Sequence, residues 1–208
     1  MHDHLAQVEE VQPAVVRGDL DEARAAAKGF AEHQVLQGMP STVKPAVADM
    51  LQAAQAVSTA GDLKAAGEGT GAMVTACGSC HRAMSATPSF PAPAAAAKAG
   101  NPTAARMLEH QQAVEMLYHG LIAPSDQLWT KGAQALKASP LKADAFPVDA
   151  NLAREALDAQ SRAHEVAEKA MEAKAPWQRA DIYGELIGEC ASCHALSGRV
   201  LGAGLPKK

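Results

Sequence analysis

Two short clusters in this 208-residue chain have the residue types and spacing for chemistry. The four cysteines occur only as Cys77-Gly78-Ser79-Cys80 and Cys190-Ala191-Ser192-Cys193, and a histidine follows each pair directly, His81 and His194. A bare C-x-x-C can serve as a redox-active dithiol, as half of a zinc site or as a disulfide. The adjoining histidine shifts the balance. C-x-x-C-H presents two thiols that can add across the vinyl groups of a haem, and an imidazole placed to become an axial ligand of its iron. Chance is a poor explanation: with 8 His in 208 residues, a histidine after both pairs has a probability of roughly 0.0015. The dithiol reading also wants strands around the motif, and no segment alternates convincingly with period two. A zinc site spanning both motifs is the remaining rival. The expectation is therefore two covalent haem c groups, one on Cys77 and Cys80, the other on Cys190 and Cys193. His81 and His194 are the expected proximal iron ligands.

The two motifs are related by an internal repeat. His4-x-x-x-Val8-Glu9-x-Val11 recurs as His110-x-x-x-Val114-Glu115-x-Leu117 at an offset of 106. Gly71, Met73, Val74 and Cys77 recur as Gly184, Leu186, Ile187 and Cys190 at an offset of 113. The seven-residue difference points to an insertion in the second half, with Ser139 to Asp149 and its Pro140 and Pro147 as the expected place. Between the halves, Thr87-Pro88-Ser89-Phe90-Pro91-Ala92-Pro93 and Ala99-Gly100-Asn101-Pro102 read as a semi-rigid linker. Two domains are expected, 1–95 and 103–208, with a linker over about 86–102.

The elements that must carry the motifs read as helices. Apolar residues make up 48% of the chain and aromatic residues only 3%, a composition that suits Ala-rich packed helices rather than strands. His4, Val8, Val11 and Val15 form one helical stripe, which Pro13 should kink or shorten. Asp19 with Glu22 resembles a capping box for a second helix through Ala23, Ala27 and Phe30. Ser41 is the expected cap of a third, through Val43, Val47, Met50, Leu51, Ala54 and Val57. Gly61-Asp62 opens a fourth, with Leu63, Ala66, Thr70, Met73, Cys77 and Met84 on one stripe. The pattern repeats from about Thr103 through Ser125, Asp149 and Pro176, beginning with the stripe His110, Val114, Leu117, Leu121. Short connections favour antiparallel up-down-up-down bundles. The fold expected is all-α: two tandem antiparallel four-helix bundles, one haem c in each.

With C-x-x-C-H on the last of four helices, each half resembles cytochrome c′ and its low-spin relatives, the four-helix class of c-type cytochromes. The chain departs from that family in holding two such units, each shorter than usual. The resemblance implies that the first helix supplies the sixth position on the iron, as a Met in low-spin members or as an apolar residue over an open site. Here the repeat-matched residues on the first helices are His4 and His110, which become the expected distal ligands, with Met107 and Met116 as alternatives. Arg82 and Arg199 could meet haem propionates, Trp129 and Trp177 could pack in the core or at a haem edge, and Gly71 and Gly184 could let the backbone approach a porphyrin face.

Two six-coordinate haems would leave no open iron for a substrate, so electron transfer to redox partner proteins is the expected function, without enzymatic activity. Binding of nitric oxide or carbon monoxide at a five-coordinate haem is the rival. A di-haem peroxidase ranks lower, because no distal acid–base pair stands out. The net charge of −4 gives no basic excess for nucleic acid, and no run of about 18 apolar residues suggests a transmembrane helix. The start, Met1-His2-Asp3-His4, has no signal-peptide pattern, yet haem attachment to two thiols implies a periplasmic or extracytoplasmic location.

Overall fold

A computed structural model of the chain describes residues 2–32, 40–90, 102–140 and 150–201, and side chains over 8–32, 40–90, 103–140 and 153–196. These residues fold into eight α-helices with no strand among them: α1 (His2–Arg17), α2 (Leu20–Ala31), α3 (Lys44–Ser58), α4 (Leu63–Ala83), α5 (Pro102–Ile122), α6 (Asp126–Lys137), α7 (Ala150–Glu172) and α8 (Pro176–Leu201). The chain is all-α. The repeat is visible in the element lengths: α2 and α6 are both 12 residues long and begin 106 positions apart, while α4 and α8 begin 113 apart.

Local chemistry explains several of the helix starts. The Asp19 carboxylate accepts from the Glu22 amide at the head of α2, Asp62 accepts from Ala65 at the head of α4, and Ser125 accepts from Leu128 at the head of α6. Two expectations change. Ser41 does not cap α3; the helix starts after Val43 with Pro45 in its first turn, where the missing amide proton costs nothing. Nor does Pro13 shorten α1, which runs through it to Arg17. Asp149, expected at the start of α7, and the bulk of the expected insertion lie outside the described residues.

The apolar stripes face inward as their spacing requires. Val8, Val11 and Val15 of α1, Phe30 of α2, Val57 of α3 and Leu117 of α5 are all buried. Trp129 joins them and donates from Nε1 to the Ala170 carbonyl at 2.7 Å. Trp177, by contrast, is exposed, and so is Met84, which falls beyond the buried part of its stripe.

Consecutive helices pack as neighbours in each half, but the two halves are also packed together. The boundaries 1–95 and 103–208 separate α1–α4 from α5–α8, yet one continuous buried core draws on both sets. Its spine is α4 against α8. A Cβ on Gly71 would fall 2.2 Å from the Ala180 carbonyl oxygen, and one on Gly67 would fall 2.6 Å from that of Gly184. The two backbones therefore touch. Gly71 and Gly184 make this approach to each other's helix, which is the reason for glycine there, rather than an approach to a porphyrin face. Around the spine, α1 packs more extensively on α8 than on α4, and α5 more extensively on α4 than on α8.

Candidate functional site

Cys77 and Cys80 lie one turn apart on α4, and Cys190 and Cys193 one turn apart on α8, so each pair shares a helix face. None of the four is in a disulfide. The Cys77 Sγ sits 3.7 Å from the Met50 Sδ of α3 and 3.5 Å from the Met73 carbonyl oxygen. Burial pushes the Cys77 thiol up to about 12, with a further push from Cys80, and burial followed by Cys193 does the same to Cys190. These surroundings favour the uncharged thiol over the thiolate at Cys77 and Cys190. A neutral thioether suits them. Among the described residues, no three His, Cys, Asp or Glu side chains converge as a metal site would require.

The motif histidines share a second feature. The His81 Nδ1 lies 2.8 Å from the Ile122 carbonyl oxygen, and the His194 Nδ1 lies 2.7 Å from that of Val16. In a neutral ring, Nδ1 then carries the proton and donates it, which leaves the Nε2 lone pair available for a metal. The acceptors, Val16 and Ile122, are themselves repeat equivalents 106 positions apart, at the ends of α1 and α5. Each acceptor belongs to the other half of the chain. The histidine of α4 is held by α5, and that of α8 by α1.

The expected distal residues are placed less completely. His4 lies in α1, and its side chain is outside the described residues, as is that of Arg199. His110, half-buried on α5, has its Nε2 on the Ser139 carbonyl at the end of α6. Its ring meets that of His164 edge-on, with centroids 5.9 Å apart. His164, on α7, has an Nε2 that is buried without a hydrogen-bond partner. Burial lowers the pKa of both histidines, favouring the neutral rings that a metal needs. Met107 and Met116 are half-buried on α5, and Arg82 is exposed.

Three features escape a reading by repeat alone. His164 has Leu51 as its repeat equivalent, so nothing marks it in the sequence. Tyr118 and Tyr183 pack with ring centroids 6.3 Å apart, both hydroxyls buried and without partners. Their pKa values are driven well up by burial first, then by Cys77 for Tyr118, and by Tyr118 and Cys190 for Tyr183. Gly78, between the first two cysteines, faces the end of α5 so closely that a Cβ would fall 2.1 Å from the Leu121 carbonyl oxygen. Comparison with protein-family models, curated proteins and solved structures finds no match to this chain.

Proposed function

We propose that the protein is a di-haem c-type cytochrome that acts as an electron carrier. In this reading, two tandem four-helix units hold one haem c each, on Cys77 and Cys80 and on Cys190 and Cys193. The observation that carries it is the duplicated arrangement in which a helical C-x-x-C pair adjoins a histidine whose Nδ1 is fixed by a backbone carbonyl. A metal-bound histidine characteristically has its other ring nitrogen held in this way.

When bound, haem would supply a one-electron Fe(III)/Fe(II) couple. The residues of the chain supply the rest. The cysteines tether the group to α4 and α8, and the carbonyls of Ile122 and Val16 stop the imidazoles from turning and strengthen them as donors. The apolar surroundings of Cys77 and Cys190 keep water from the attachment points and disfavour charge there. His4 and His110 are the proposed sixth ligands. Redox proteins are the proposed partners, and a periplasmic or extracytoplasmic location follows from the attachment chemistry. No described helix is long and apolar enough to cross a membrane.

Mass spectrometry of the intact protein should show the polypeptide plus two haems, unchanged by extraction with acidified organic solvent. Colour that extracts, or zinc in its place, overturns the reading. Absorption spectra of both redox states with carbon monoxide then separate a carrier, whose reduced haems stay inert, from a gas-binding protein.

A further inference from the structure

We propose that Gly78 lets the other half of the chain approach and position the proximal ligand of the first haem, so that the second half sets the first haem's reduction potential. This inference rests on the haem reading above and deepens it.

The geometry ties two contacts into one. A Cβ at Gly78 would lie 2.1 Å from the Leu121 carbonyl oxygen, 3.3 Å from its carbon and 3.4 Å from the Pro124 Cγ. The next residue after Leu121 is Ile122, whose carbonyl accepts from His81 Nδ1. The turn of α5 that only glycine admits is thus the turn that holds the imidazole. The obstacle would be backbone, which cannot swing aside like the end of a side chain.

The motif itself does not demand glycine. The equivalent residue between the second pair of cysteines is Ala191, so a Cβ there is compatible with the motif helix. In the second half the small residue stands on the opposite side of the contact. Gly18, in a left-handed conformation at φ 79°, follows α1, and a Cβ on it would lie 3.7 Å from the Ala191 carbonyl oxygen. Both halves thereby bring the end of a first helix against the other half's motif helix.

Donation from Nδ1 to a carbonyl makes the imidazole a stronger donor at Nε2, which favours the more highly charged ferric iron. Lengthening that hydrogen bond should raise the reduction potential. Gly78→Ala converts the first motif into Cys-Ala-Ser-Cys-His, the residues of the second, while wedging α5 away from α4.

The test is a potentiometric titration of the full-length, haem-loaded Gly78→Ala protein, followed by absorbance. One of the two waves should move to higher potential while the other stays. Gly29→Ala, where the added Cβ meets nothing within 4 Å, should move neither. Should Gly78→Ala not fold, proton NMR of the unaltered protein replaces it: both proximal ring N–H protons should be protected from exchange with solvent. Two unmoved waves in Gly78→Ala, or fewer than two protected ring protons, overturn the inference while the haem reading stands. A protein without covalent haem overturns both.

Discussion

In the proposed di-haem reading, the sixth position on the second iron turns on single nitrogen atoms. His110 directs Nε2 at the Ser139 carbonyl, so a neutral His110 ring donates there and keeps its free lone pair on Nδ1. Its neighbour His164 has a buried Nε2 with no such obligation. An unpaired buried polar atom costs about 1–3 kcal/mol, and coordination to iron would remove that cost. His110 nevertheless has the repeat match with His4, and it is the member of the pair on the first helix of its half. His110→Ala should therefore convert about half of the haem absorbance to a high-spin form that binds carbon monoxide when reduced. The other haem keeps its own ligands. If His110→Ala leaves both haems low-spin and inert while His164→Ala opens one, the sixth ligand comes from α7.

At the scale of elements, the seam between α4 and α8 makes the firmest demand. Helices that meet through backbone leave no room for even a methyl group, and overpacking of this kind typically costs about 1–3 kcal/mol. Gly71→Ala should lower stability by that order, read as a fall in the denaturant midpoint, because its Cβ would fall 2.2 Å from the Ala180 carbonyl oxygen. Gly29→Ala, inside α2 and facing open space, should instead stabilise by about 0.5–1 kcal/mol through helix propensity. Equal responses would mean that the backbones do not meet there. The contrast shows what the sequence made legible and what it did not. The helical stripes, the caps Asp19, Asp62 and Ser125, and the offsets of 106 and 113 can all be read locally, since each depends on spacing within one element or one repeat. Glycine is ambiguous, because it marks a close approach without saying what approaches. Gly71 and Gly184 gave no sign that their partners were each other's helices. For the same reason the acceptors of His81 and His194 were hidden: they are backbone carbonyls, which every residue possesses, in the other half of the chain.

For the molecule as a whole, the question is whether the repeat produced two units or one. Read from the sequence, the proline-rich segment is a linker between separable domains, and cutting it should release two haem-bearing fragments. The packing leads to a different expectation. The α4 and α8 backbones touch, α1 lies on α8, α5 lies on α4, and the buried core draws on both halves. Separating them would expose Tyr118, Tyr183 and neighbouring apolar side chains to water, at about 25 cal/mol per Å² of apolar surface. It would also take the Ile122 carbonyl from His81 and the Val16 carbonyl from His194. Within the linker, Phe90 itself stacks on the His119 ring of α5, with centroids 3.9 Å apart. Cleavage between residues 91 and 101 should therefore leave a nicked particle that elutes at the size of the intact protein and keeps both haem spectra. Denaturant should be needed to part the pieces, and the spectra of both haems should change together as they separate. Two fragments that elute apart without denaturant, each with the haem spectrum it has in the intact chain, would show that each half completes its own site and that the exchange of carbonyls between them is dispensable.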